Sequence, residues 1–256
     1  MARLASVAAL PLGIDVHRVH LVDSYPRNGS PQNFLVRGNN PVDKGGSFNI
    51  TALRAAIAHA LGVCNVTIPH ASFKIHTLDL ENPADPGYFK EHAYWREHSD
   101  EGILDNWMTL GSLLQPQHAS NRTARVERGD WAIGGHADHL PQRLNATRQL
   151  LTNLSNPWPT VIYVHCNAGC DRTGEFIGSY AMTYLGYNVT TMYGEACRQC
   201  GRCPNYYATS ALGWWCLTLA ARGWPVQGSC LNFAGCKFLG DCDAHSPTPL
   251  ADACPS

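Results

Sequence analysis

Residues 161–185 read VIYVHCNAGCDRTGEFIGSYAMTYL. Val161 to Val164 is a compact run of β-branched and aromatic residues, short enough for a buried strand. Thr173 to Leu185 then resumes helical spacing, with Phe176, Ile177, Tyr180, Ala181, Tyr184 and Leu185 on one side. Between them stands His165-Cys166-Asn167-Ala168-Gly169-Cys170-Asp171-Arg172-Thr173-Gly174. The stretch therefore predicts a strand, a tight loop and a helix in immediate succession. In such a loop the backbone N–H groups can converge on an anion, and the helix start adds partial positive charge. Arg172 can fork two parallel hydrogen bonds onto phosphate oxygens. The same groups favour the thiolate of Cys166 and make it a nucleophile. Asn167, Ala168, Gly169, Cys170, Asp171 and Gly174 complete the expected anion cradle. A plain buried strand cysteine followed by a capping arginine is the alternative, and the strand, spacing and helix together disfavour it.

This loop resembles the His-Cys-x5-Arg-Ser/Thr signature of the cysteine-dependent protein tyrosine phosphatase superfamily, with His165, Cys166, Gly169, Arg172, Thr173 and Gly174 in the family's places. The resemblance implies an α/β fold, a twisted central sheet flanked by helices, with Cys166 beyond a central strand's C-terminal end. It implies two-step phosphomonoester hydrolysis through a cysteinyl-phosphate, with no cofactor and no metal. The Thr173 hydroxyl would hydrogen-bond the departing thiolate, and His165 would orient the loop. A general acid is expected on an upstream segment. Asp138, in Asp138-His139-Leu140-Pro141-Gln142, is similar to that segment in phosphatase-and-tensin and dual-specificity enzymes. It would protonate the leaving oxygen and then deprotonate the attacking water; capping the next helix is its other possible job. Asp130 and Asp171 are the reserve carboxylates.

Asp171 before the arginine is similar to the loops of myotubularin-type and Sac-type phosphoinositide phosphatases. Those loops often carry an adjacent Lys, whereas this one has Cys170, and the chain holds only four Lys (44, 74, 90 and 237). A polyanionic head group needs more positive charge than that. The expected substrate is a phosphorylated protein (phosphotyrosine, or dual specificity) or a small phosphomonoester. A phosphoinositide or inositol phosphate is the alternative, and a phosphate-binding pseudophosphatase is the alternative of another class.

Working outward, the 256 residues carry 45% apolar and 15% charged side chains and a formal net charge of −1. That composition excludes a disordered chain, and near-neutrality argues against a dedicated nucleic-acid binder. No apolar run reaches the length of a membrane span. Helices are expected at 51–61, 87–98, 140–154, 190–200 and 206–222, and strands at 33–37 and 73–80, with a long loop from 99 to 130. Trp214, Trp215, Tyr206 and Tyr207 have core-packing spacing. The organisation expected is a phosphatase domain over 1–222, including a long N-terminal part, and a Cys-rich C-terminal tail over 223–256 packed on it.

Eleven cysteines are many for a reduced cytosolic enzyme. Seven Asn-x-Ser/Thr sequons begin at Asn28, Asn49, Asn65, Asn121, Asn145, Asn153 and Asn188, against about two expected from the residue content. Both features point to a secreted glycoprotein or a secretory-pathway lumen, with the cytoplasm as alternative. Arg3 followed by Leu4 to Ile14 has the charge-then-apolar order of a signal segment, or forms an N-terminal strand. Cys197, Cys200 and Cys203, with Cys216, have zinc-ligand spacing, but disulfides stapling the tail onto the domain fit better. Cys170, four residues from Cys166, either forms a reversible disulfide with it or simply lines the loop.

Overall fold

The computed structural model describes residues 13–26, 32–43, 45–66, 68, 73–113, 116, 138–226, 228–233 and 254. Its centre is β5 (Thr160–Cys166), every residue of which is buried. The sheet has five strands in the order β1-β2-β5-β3-β4, with β1 at His20–Tyr25, β2 at Asn33–Asn39, β3 at Lys74–Asp79 and β4 at Gly102–Asn106. β2, β5, β3 and β4 run parallel, and β1 is antiparallel to β2. Parallel strands need crossovers, and those helices cover both faces, which is why β5 reads as a continuous apolar run.

The pleat divides the core in two. Ile162, Val164 and Cys166 face α3 (Leu140–Thr152), α4 (Asp171–Tyr184) and α6 (Tyr206–Ala221), packing with Leu144, Phe176, Tyr180 and Trp214. Val161 and Tyr163 face the other way, onto α1 (Ile50–Val63) and Trp95 of α2 (Tyr88–Glu97). A fully buried side chain of this kind contributes about 1.5–3 kcal/mol. α5 (Val189–Cys200) packs against α4 and α6. The result is the expected α/β architecture, a sheet flanked by helices with the loop of residues 167–170 joining β5 to α4.

Several boundaries differ from expectation. β4 lies inside the segment read as loop: it is a short edge strand, and Ile103 on its outer side is 50% exposed. β1, a second edge strand, has a bulge between Leu21 and Asp23 that breaks its alternation. β5 runs on through His165 to Cys166, and α4 starts at Asp171, so the joining loop is shorter than the sequence suggests. α1 starts at Ile50 because the Asn49 side chain accepts the Ala52 N–H at 2.9 Å.

The described cysteines pair as Cys64–Cys254, Cys170–Cys200, Cys197–Cys203 and Cys216–Cys230, and Cys166 is free and buried. These pairs agree with the disulfide reading over its zinc alternative, and they give Cys170 a partner that neither of its two expected roles included. Cys197, Cys200, Cys203 and Cys216 are all consumed as disulfides, so none of these four is a thiolate for zinc. Cys170 is bonded to α5 rather than held ready for Cys166. Two bridges tether the tail, one from Cys230 to α6 and one from Cys254 to the end of α1. Cys236 and Cys242, the reserve acid Asp130 and the sequons at Asn28 and Asn121 lie outside the described residues.

Candidate active site

The loop after β5 leaves a row of donors unused. Gly169 N–H turns back to the Cys166 carbonyl at 3.2 Å, and Gly174 N–H bonds the Cys170 carbonyl at 3.1 Å. Among the described residues, the N–H groups of Asn167, Ala168, Cys170, Asp171 and Arg172 find no acceptor. The last two belong to the first turn of α4, where the chain itself supplies none. Five such donors close to a buried cysteine are what an oxyanion would need for its hydrogen bonds.

The loop keeps its shape through contacts with β2. The Asn40 N–H donates to the carbonyls of Cys166 (3.0 Å) and Asn167 (3.2 Å), and Arg18 donates to the Ala168 carbonyl at 2.9 Å. Gly169 has φ +72°, and a Cβ there would lie 2.5 Å from the Gly38 carbonyl oxygen. Gly38 in turn makes room for Tyr163, whose hydroxyl donates to the Asn39 carbonyl at 2.6 Å. Cys170 is pinned to Cys200 from the opposite side.

Arg172 is held by Asp85, 2.5 Å from its Oδ2, and by the Leu80 carbonyl. Burial pushes the Asp85 carboxyl up, but the hydrogen bonds from Arg172 and the Asn82 N–H and the Arg172 charge outweigh it, holding the group below its ordinary value. Asp85 belongs to a turn closed by its own N–H to the Asn82 carbonyl, so Arg172 is fixed by an element remote in sequence. The Asp171 carboxylate faces away, accepting a forked pair from Arg202 (2.9 and 2.6 Å) and the Asn205 N–H at 2.7 Å. That leaves its backbone N–H, not its carboxylate, for the cradle.

Behind the loop lies a buried acidic cluster. In the parallel register Asp79 is opposite His165, and the pleat sends both toward α2, away from Cys166. His165 Nε2 meets Glu91 at 3.2 Å. Burial opposes its charge, but Glu91, Asp79 and Glu81 raise the imidazole to about 10, so it is protonated. Burial raises Glu81 to about 7 against the His165 charge and the Asn40 amide, with Asp79 and Glu91 adding to the rise. Asp79, Glu81 and His165 have the proximity of a metal ligand set. Asn40, Asn106 and His92 already direct hydrogen bonds at these carboxylates, however, and such donors suit a hydrogen-bonded network better than a cation.

Asp138 is fully buried and does not cap α3; His139 holds that position with no side-chain bond. Its oxygens accept the N–H groups of Leu110 (2.9 Å) and Gly111 (3.2 Å). Burial still raises the carboxyl above its ordinary value, against those two bonds and the charges of Arg143 and His139. Within electrostatic reach of both Asp138 and Cys166 is Glu175, a residue the sequence reading did not single out. It is fully buried, neither of its oxygens has a partner among the described residues, and burial, then Asp138, push it well above the ordinary range. The Thr173 hydroxyl is likewise buried and without a partner.

A cavity of about 950 Å³ opens beside the loop, walled by Asn167, Ala168, Asn39, Asn40, Arg18 and His59 among others. Its walls mix apolar and polar side chains and carry both signs of charge, Asp15 and Asp43 against Arg18.

No family model matches the chain, and no curated protein matches it in sequence. Solved structures align at low similarity. The core catalytic domain of the PP-IP phosphatase SIW14 from S. cerevisiae, solved with citrate, is 14% identical at a TM-score of 0.39, covering 86% of this chain and 100% of its own. The Yvh1 phosphatase domain from Chaetomium thermophilum is 14% identical at 0.36, covering 82% and 100%. A protein tyrosine phosphatase from Leishmania major is 15% identical at 0.38, covering 78% and 96%.

Proposed function

We propose that this chain is a cysteine-dependent phosphatase that hydrolyses phosphomonoesters in two steps. One observation carries this: the free cysteine of the described set sits at the mouth of a loop in which the N–H groups of Asn167, Ala168 and Cys170 have no acceptor among the described residues, with Arg172 in the first turn behind it. The loop N–H groups and Arg172 hold the three non-bridging oxygens. They stabilise the charge that builds on them in the transition state. Cys166 Sγ forms a bond to phosphorus as the bond to the leaving oxygen breaks, and Asp138 gives that oxygen its proton. Asp138, now ionised, takes a proton from water as the water oxygen attacks phosphorus and the sulfur departs. The unpartnered Thr173 hydroxyl donates to the departing thiolate. Donation by Asp138 requires one of its oxygens to exchange an N–H bond for the substrate, a tightening common between the free and substrate-bound states of enzymes.

The mixed-charge cavity beside the loop receives the group that bears the phosphoryl, and suits a phosphotyrosyl or small polar phosphomonoester better than a multiply phosphorylated head group. Phosphate release from phosphotyrosyl, phosphothreonyl and phosphoinositide substrates, compared in wild type and Arg172→Met, tests both levels. Turnover on the first class with loss in the variant supports the proposal; phosphoinositide preference overturns the substrate class. The full engagement of Asp138 favours one second reading, a protein that binds phosphate esters without turning them over, and the same assay separates the two.

We also assign the chain to a secretory compartment. Four disulfides among the described residues support an oxidising setting, and Asn65 and Asn153 are exposed outside regular helices. Mass mapping of the natural protein should find glycans at these two sequons; eleven free thiols and unmodified Asn would place it in the cytosol.

A further inference from the structure

We propose that Arg37 is a positioning residue for this chemistry: from beneath the loop it fixes Gly169 and sets a buried cation, unmatched by any carboxylate among the described residues, on the Cys166 face of the sheet. The inference rests on the phosphatase reading above. Asn39 is opposite Cys166 and Arg37 opposite Val164 in the parallel pair of β2 and β5, so alternation puts Arg37 on the Cys166 face, one pleat step back. Its side chain is buried. One end of the guanidinium donates to the Gly169 carbonyl, the other to Gln199 Oε1 at 2.8 Å, and Nε has no partner among the described residues. Both acceptors are neutral. Among the described residues no carboxylate forms an ion pair with Arg37, although a buried charge without a counter-charge is among the costliest features a core can hold.

The groups facing it leave one candidate for that counter-charge. On its own face of the sheet these are Cys166 on β5, His20 on β1, and Glu195 and Arg198 on α5; the Tyr163 phenol acts on it from the other face. Glu195 and Arg198 pair with each other. His20 is lowered to about 4 by burial and by Arg37, so it carries no charge at neutral pH, and burial keeps the Tyr163 phenol protonated. Burial lowers Arg37 itself only to about 10, so it stays charged. Arg37, Arg172 and Glu175 lie within electrostatic reach of Cys166, and Tyr163 reaches it from the other face of the sheet. The Arg172 charge is shared with Asp85, and burial pushes Glu175 toward its neutral form. Cys166 is thus the group on that face left to answer the charge of Arg37. The hydrogen bond to Gly169 adds shape to charge, pulling that carbonyl downward so that neighbouring N–H groups face the oxyanion.

The test is the pH profile of Cys166 alkylation by iodoacetamide, followed on the Cys166 peptide by mass spectrometry in the full chain, with kcat and KM measured alongside. Arg37→Gln can still donate to Gly169 but carries no charge. It should move the alkylation midpoint up by about one pH unit, the low end of what an adjacent opposite charge does. Below the midpoint kcat/KM should fall about tenfold and recover as the pH rises. Arg37→Lys keeps the charge and should leave the midpoint in place. A wild-type midpoint in Arg37→Gln, or an equal upward shift in Arg37→Lys, overturns the proposal. If Arg37→Gln fails to fold, Arg37→Lys decides alone: an unmoved midpoint supports the proposal and a raised one refutes it. A wild-type chain that hydrolyses no phosphate ester, while its alkylation profile still shifts on Arg37→Gln, would instead sink the phosphatase reading.

Discussion

Replacing Cys200 by Ser cuts the one covalent tie between the loop and α5. Cys170 and Cys200 are 30 residues apart, and closing a loop of that length removes about 3.5 kcal/mol of chain entropy from the unfolded state. Both positions are buried, so the freed side chains have little room to relax. The variant should therefore lose about 3.5 kcal/mol in urea unfolding followed by tryptophan fluorescence. For a chain of this size that is a fall in Tm of about 7–14 °C. A second consequence is chemical. Cys170 is then a thiol four residues from Cys166, so a Cys166 sulfenic acid formed by peroxide can condense with it, releasing water and forming a disulfide. Activity lost to peroxide should return on dithiothreitol in Cys200→Ser, whereas wild type should be lost for good. A variant within about 1 kcal/mol of wild type, with no gain in reversibility, would refute the assignment of Cys170 to Cys200 as the native bond.

Asp138→Asn should cost about 10²–10⁴ in kcat on alkyl phosphates and far less on nitrophenyl phosphate, whose leaving group needs no proton; an equal loss on both removes Asp138 as the acid. Gly169→Ala forces a Cβ into a positive-φ position 2.5 Å from the Gly38 oxygen, and should raise KM and lower kcat together, with the loss seen in steady-state kinetics. Glu81 is raised by burial from 4.5 to about 7, so the folded state binds its proton more tightly than the unfolded chain and stability falls as pH rises through that window. Glu81→Gln should flatten that fall by up to about 3 kcal/mol between acid and neutral pH in urea titrations; an unchanged slope contradicts the account.

The centre of the molecule is legible in the sequence because its signals are local. VIYV is apolar throughout because both faces of β5 are covered, and the helix after it keeps its period for three turns. The edges are less legible. β4 has Ile103 and Leu104 side by side and exposes the first, so neither alternation nor a buried run marks it. Residues whose importance is set by distant partners are hidden for a different reason. Arg37 reads as the polar end of NFLVR, and only the return of residues 169 and 199 shows what it holds. Asp85 reads as a turn former in an Asn-Pro-Ala-Asp-Pro-Gly stretch, yet its carboxylate fixes Arg172 across 87 residues. The cysteine pairings were beyond spacing arguments, since Cys64 finds Cys254 at a separation of 190.

The central claim is that Cys166 is the atom that takes the phosphoryl group. Acid quenching of the full chain during turnover of a phosphotyrosyl substrate, followed by peptide mapping, tests it directly. The account predicts a phosphoryl group on the Cys166 peptide in wild type, more of it in Asp138→Asn on a good leaving group because hydrolysis of the intermediate then slows, and none in Cys166→Ser. Turnover without a phosphorylated Cys166, or undiminished turnover in Cys166→Ser, would contradict it.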